Sequence, residues 1–134
     1  MSTLKTTNIQ DTSGNNSSTT EQLAQGRAKA WITFNGTGTV ANRDKFNIDT
    51  ITDNGTGDYS LTFTNAMSSS DYVVIGCAGF GSGNQWNSVY IHAKNVSPFF
   101  QEPTTSGFRI AVSNSGTSAN LQDQNRISVA VFGD

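Results

Sequence analysis

The chain has 134 residues, of which only 13% are charged, and its formal net charge is −2 at pH 7. Soluble proteins usually carry about 25% charged residues, so uncharged polar groups are predicted to cover most of the surface. This balance gives no electrostatic footprint for nucleic acid, and no stretch approaches the roughly 18 apolar residues of a membrane span. We therefore expect one domain, with neither nucleic-acid binding nor membrane insertion.

The first segment, residues 1–26, contains no aromatic residue and few large apolar ones. It cannot bury enough surface to fold alone. A capping box at 18–21, with Gly26 as a left-handed end, predicts a short helix over 19–25. The segment is either a disordered tail or an attachment arm that orders on a neighbouring chain. The predicted anchors of such an arm are Leu4, Ile9 and Leu23.

From residue 27 onward apolar residues recur with period two, which is typical of strands with one buried face. The predicted strands lie at 28–34, 39–41, 46–50, 59–64, 71–79, 89–92, 108–112 and 127–132. Phe46 and Ile48 are expected to share one face. The nearly continuous apolar run at 71–79 predicts a strand buried on both faces, with Cys77 as a buried thiol.

The pattern as a whole predicts an all-β chain. Residues 27–134 are expected to form an antiparallel β-sandwich or jelly-roll-like head, to which residues 1–26 add an extended N-terminal arm with one short helix. A lean apolar core, at 34% hydrophobic residues, also suggests support from oligomerisation.

Two Asn-Gly pairs, at 35–36 and 54–55, predict turns because both residue types tolerate positive φ. Residues 51–59 are expected to form a β-hairpin with a loop of several residues, in which Asn54, Gly55 and Gly57 have positive φ. Asp53 and Asp58 should bond to the backbone there. A calcium ion beside these two carboxylates stays open as an alternative, although the loop lacks the 12-residue ligand series.

The sequence contains few signals of catalytic activity. The one histidine, His92, is expected within a strand, and a glycosidase needs two carboxylates across a sugar cleft that the sequence does not indicate. The Gly-x-Gly-x-Gly at 79–83 leads into a strand rather than a helix, so it does not predict a phosphate site. We expect no enzymatic activity, no catalytic residue, no metal and no cofactor.

Long connections between strands carry aromatic rings among amide and hydroxyl side chains. Rings offer stacking area and amides offer directional hydrogen bonds, a combination suited to a host-surface glycan. The predicted receptor-binding residues are Phe80, Asn84, Gln85, Trp86, Gln101 and Glu102. The alternative is that these rings fill the core or a subunit interface.

Two segments support a family resemblance. Residues 27–41 read RAKAWITFNGTGTVA, and residues 46–63 contain ITDNGTGDYSLTF after FNI. Over about residues 27–75 the chain resembles a module of structural proteins from marine and cyanobacterial tailed phages. The resemblance implies a β-rich virion appendage, namely a tail fibre, head fibre or decoration protein, and it supplies no catalytic residue.

The resulting functional prediction is a virion protein, a phage fibre or receptor-binding appendage that attaches by its arm and displays its head. Its expected partners are further copies of itself in a homotrimer, other virion proteins of the fibre base, tail or capsid, and a host glycan. A capsid decoration (cement) protein is the alternative, and a glycan-degrading enzyme is a minor one.

Overall fold

The computed structural model describes residues 2–14, 17–79, 87–90, 102–114 and 121–133. The arm contains a two-stranded ribbon and one helix, and the head contains eight strands among these residues. The elements are β1 Asn8–Ile9, β2 Ser18–Thr19, α1 Thr20–Gly26, β3 Ala30–Asn35, β4 Ala41–Phe46, β5 Ile48–Gly55, β6 Asp58–Phe63, β7 Val73–Ala78, β8 Asn87–Tyr90, β9 Gly107–Asn114 and β10 Ile127–Phe132. The all-β prediction is confirmed.

Two four-stranded sheets make up the head. Sheet I has the order β4-β3-β10-β7, and sheet II has the order β5-β6-β9-β8. All of their strand pairs are antiparallel. Because β3 pairs with β10, the first and last strands of the head lie side by side in sheet I. Buried residues of both sheets form one core between them, which gives a sandwich-like fold.

The core lies between the sheets and follows the predicted period of two. Alternate residues of β3, β6, β9 and β10 are buried, and the residues between them are half-buried or exposed. Near the strand ends Asp58, Gly107 and Ser113 are buried as well. The buried apolar residues are Ala30, Ile32, Phe34, Ile48, Tyr59, Leu61, Phe63, Met67, Tyr72, Phe108, Ile110, Val112, Ile127, Val129 and Val131. Edge-to-face ring pairs such as Phe34–Tyr59, with centroids 5.1 Å apart, add to the packing.

The helix of the arm forms close to its predicted position, but its capping box lies one residue later than expected. Thr19 Oγ1 accepts from the Gln22 amide at 3.0 Å, and Gln22 Oε1 accepts from the Thr19 amide at 2.9 Å. Gly26 does not take up the predicted left-handed conformation. The helix ends instead with Arg27 in an extended conformation.

The prediction that Phe46 and Ile48 share a face is wrong. Asn47 lies between them with φ of 54° and directs the chain from β4 in sheet I to β5 in sheet II. Its side chain amide donates to the carbonyls of Lys29 and Asn65, each at 3.1 Å, which holds this left-handed residue in place. Phe46 is therefore exposed while Ile48 is buried.

The prediction of a strand buried on both faces at 71–79 is also wrong. β7 is the last strand of sheet I, where its Val73 and Ile75 side chains are 60% and 53% exposed. Cys77, predicted to be a buried thiol, is exposed as well. An apolar run indicates which residues prefer burial, but here no layer of the chain's described residues covers the outward side of the strand.

The hairpin is tighter than predicted, because Gly55 pairs with Asp58 across a two-residue turn. Gly55 and Gly57 have the expected positive φ, whereas Asn54 does not. Asp53 accepts from the Gly55 amide at 2.9 Å, as predicted. Asp58 instead pairs with a side chain on β9.

Candidate functional site

Most of the predicted receptor-binding residues lie outside the described residues, namely Phe80, Asn84, Gln85, Trp86 and Gln101, and so does His92. Glu102 is described and is exposed, two residues before the bridge between Thr104 and Gly107. The assignment of a receptor site to these residues stays a prediction.

The predicted anchors of the arm are all exposed. Leu4 is 85% exposed, and Ile9 and Leu23 also present large parts of their side chains to solvent. No residue among the described positions 2–14 and 17–26 is buried. The ribbon β1–β2 and the helix α1 contact each other, and the amide of Thr20 donates to the carbonyl of Thr7 at 3.0 Å.

A polar cluster ties the hairpin to two other segments of the head. The Tyr59 hydroxyl lies 3.0 Å from the Gly36 carbonyl oxygen and 2.7 Å from Asp123 Oδ1. Asp123 Oδ1 also accepts from the Gly57 amide at 2.7 Å. Burial, and then the hydrogen bond to Asp123, raise the pKa of Tyr59 far above its ordinary value. The phenol therefore stays protonated and acts as a donor.

The close approach of this cluster explains the glycine of the first Asn-Gly pair. A Cβ at Gly36 would lie 2.4 Å from the Tyr59 hydroxyl. The Asn35 side chain accepts from the Thr37 amide and donates to the Thr37 carbonyl, so it shapes the turn itself. Position 36 is thus a close contact between the turn and the hairpin, which turn propensity alone does not reveal.

An ion pair lies beside this cluster at the start of β6. Arg109 Nε donates to Asp58 Oδ1 at 2.6 Å, and Arg109 Nη2 donates to Asp58 Oδ2. The Asp58 side chain is buried and that of Arg109 is largely covered. The hydrogen bond that Arg109 donates to Asp58 is the main reason that the pKa of Arg109 is raised. Such a bidentate pair is directional and joins β6 to β9.

These polar contacts have structural roles. Both Asp58 oxygens accept from Arg109, and Asp53 Oδ1 accepts from a backbone amide. Within the described residues no group of three or more His, Cys, Asp or Glu side chains could hold a metal ion. The carboxylates around the hairpin thus connect strands and turns rather than point together into an open cleft.

An apolar surface on the outside of sheet I is the second notable feature. We call it the outer face, and it consists of Trp31, Thr33, Phe46, Val73, Ile75, Cys77, Ser128, Ala130 and Phe132. Trp31 is paired with Phe46 on one side and with Ala130 on the other, and Ala130 is paired with Ile75. One apolar row therefore crosses all four strands.

A shallow groove of about 430 Å³ runs over the middle of the outer face, lined by residues of β3, β7 and β10. The sequence analysis did not predict this surface, because it expects the strand at 71–79 to be buried on both faces. The alternation along β3 also places Trp31 opposite the buried residues of that strand. The available signal was an aromatic residue at a position that the alternation assigned to solvent. Isolated exposed apolar residues are common, but a contiguous patch marks an interaction surface.

The fold places the chain in the class of antiparallel β-sandwich-like proteins, here with an N-terminal arm. Comparison with known proteins adds no relative, since no family model, curated protein or solved structure matches the chain. Among the described residues no helix is long and apolar enough to cross a membrane.

Proposed function

We propose that this protein is a structural component of a virion, a fibre or receptor-binding appendage that attaches by its arm and displays the sandwich head. The observation that carries the proposal is the difference in burial between the arm and the head. None of the described arm residues is buried, while the head has a continuous core of its own. An arm that buries no residue on its own head is free to order on another molecule.

The resemblance to phage structural proteins also supports the proposal, because the segment that carries it contributes strands to both sheets of the head. Residues 27–63 contain β3 to β6, which contribute strands to both sheets. Tyr59 and Asp58 within this segment fasten the hairpin to the rest of the head. These contacts hold the segment that carries the resemblance in its place within the fold.

A capsid decoration protein is the second candidate, because the same arm-and-head layout also suits a protein that clamps a shell. The two functions differ in copy number, with tens of copies expected for a fibre and hundreds for a decoration protein. Localising the protein in a reconstruction of the virion that carries it, and counting its copies, distinguishes them. Absence of the protein from purified virions contradicts both.

The role of the arm is tested by incorporation into virions. We expect a chain that begins at Arg27 to fold as a β-rich head but to be absent from virions. The variant Leu4→Ser/Ile9→Ser should reduce incorporation, whereas the matched control Gln10→Ser should not. Normal incorporation of the shortened chain contradicts attachment through the arm.

The receptor assignment has its own test. If Trp86 contacts a host glycan, Trp86→Ala reduces adsorption of virions to host cells and leaves the oligomer mass unchanged. Glu102→Ala tests the one described member of the predicted set in the same assay. A dissociated oligomer in Trp86→Ala would instead assign this ring to a subunit interface, since truncating a buried aromatic residue costs about 3–5 kcal/mol.

A further inference from the structure

The large apolar side chains that remain exposed in the described residues fall into two groups. Three belong to the arm, namely Leu4, Ile9 and Leu23. The other three belong to the outer face, namely Phe46, Val73 and Ile75. We propose that these groups cover each other between molecules, so that the outer face of one copy receives the arm of a second copy of this chain.

The size of the outer face argues against simple face-to-face pairing. Four strands about 4.8 Å apart and six residues long at about 3.3 Å per residue cover roughly 400 Å². A stable interface buries about 800 Å² on each partner. A face-to-face contact would bury only this area on each copy, whereas a copy that both gives an arm and receives one buries its outer face and its arm.

The polar groups on the outer face do not oppose such coverage. Thr33 Oγ1 and Ser128 Oγ lie 3.1 Å apart and hydrogen-bond to each other in the middle of the face. At the border, Asp44 Oδ1 accepts from the Lys45 amide at 2.9 Å. The two central hydroxyls therefore keep their mutual hydrogen bond when they lose contact with water. Burying a hydroxyl that has no hydrogen-bond partner would destabilise the contact.

The occupant is the arm of a second copy rather than the arm of the same chain. In the single chain the arm contacts itself through β1, β2 and α1, and none of its described residues is buried. When arms are exchanged, every copy gives one arm and receives one. Identical contacts of this kind can close into a ring, and the predicted homotrimer is one such ring.

The inference concerns self-association and does not depend on the virion assignment. Because Leu4→Ser/Ile9→Ser also tests incorporation into virions, the mass of this variant is measured first. A variant that dissociates and is not incorporated supports the contact between copies, whereas one that stays assembled but is not incorporated supports attachment of the arm to the virion and overturns this inference.

The first test measures mass. The full chain should sediment as a closed oligomer at micromolar concentration, and Ile75→Lys should weaken association at least about tenfold by placing a charge in the contact. Thr52→Lys is the matched control, because Thr52 is an exposed strand residue of sheet II. Leu4→Ser/Ile9→Ser should weaken association as Ile75→Lys does. A monomeric full chain, or equal association of all these variants, overturns the proposal.

The second test uses the single cysteine, Cys77, which lies on the outer face and is exposed in the isolated chain. Its reaction with a maleimide should be at least about tenfold slower in the oligomer than in the chain that begins at Arg27. Equal rates in the two proteins overturn the proposal.

Crosslinking then identifies the donor of the arm. A chain with Leu4→Cys/Cys77→Ser is mixed with the native chain, and a bismaleimide is added. Crosslinked dimers support exchange between copies. In the chain with Leu4→Cys alone, crosslinks confined to single chains would show that each arm folds back on its own face, and would overturn the proposal.

Discussion

The arm and the head contain the same types of apolar side chain but give them opposite environments. Leu61 on β6 is 1% exposed within the core, whereas Leu4 in the arm is 85% exposed. The difference shows that burial depends on which layers face a residue, and not on the residue type. The head buries Leu61 for its own stability, whereas Leu4 of the arm is available for binding.

Two leucines, Leu61 in the core and Leu4 in the arm, test this difference most strongly. Leu61→Ala should lower the free energy of unfolding by about 2–5 kcal/mol, because it leaves a cavity in the core. Leu4→Ala should change it by less than about 0.5 kcal/mol in the monomer. Chemical denaturation of both variants checks this, and a comparable loss in Leu4→Ala would show that the arm is part of the folded head.

Glycines in the head and in the arm are also expected to differ in how well they tolerate substitution. Gly57 in the hairpin has φ of 65°, and a Cβ there would lie 2.5 Å from the Val112 carbonyl oxygen. Gly14 in the arm has φ of 75° with open space around it. Gly57→Ala should cost about 2–4 kcal/mol from backbone strain and the clash, and Gly14→Ala should leave the melting temperature of the head unchanged. Equal melting temperatures would mean that the turn is not held as described.

Alkaline pH should destabilise the head and not the arm. Burial raises the pKa of Tyr72 to about 12, and its hydroxyl lies 2.9 Å from each of the carbonyl oxygens of Thr104 and Gly107. The unfolded chain loses this proton near pH 10, so the contribution is complete below pH 10 and is lost as pH rises to about 12. The expected loss is on the order of 1–3 kcal/mol.

Denaturation between pH 9 and 12 measures this loss, with Tyr72→Phe as the control. The phenylalanine variant should be less stable at pH 8 by about 1 kcal/mol but should show a smaller alkaline decline. Tyr59 adds to the remaining decline, because its pKa is raised in the same direction. An identical decline in both proteins would contradict the role of Tyr72.

Removal of the arm is expected to change the free energy of unfolding of the head least. A chain that begins at Arg27 should unfold within about 0.5 kcal/mol of the dissociated full chain, since no described arm residue is buried. Circular dichroism and chemical denaturation check this, at protein concentrations low enough for the oligomer to dissociate into monomers. A marked loss of stability in the monomer would place part of the arm in the fold of the head.

Local sequence patterns predicted most of the strands, although β4 Ala41–Phe46 lies later than the short strand expected at 39–41. Alternation placed Ile32, Leu61 and Ile110 in the core, because a period of two leaves one side of a strand apolar wherever it packs. The short helix, the hairpin and the positive φ at Gly55 and Gly57 also followed from local signals. Such features depend on residues that are neighbours in the chain, so the sequence by itself determined them.

The contacts between distant residues were decided only by the tertiary structure. Asp58 pairs with Arg109, 51 positions later, and Tyr59 contacts Asp123, 64 positions later. The exposure of Ile75 likewise depends on the outer side of sheet I, which no layer of the described residues covers. An apolar residue prefers burial wherever it stands in the chain, but only the arrangement of the layers determines whether another part of the same molecule is there to cover it.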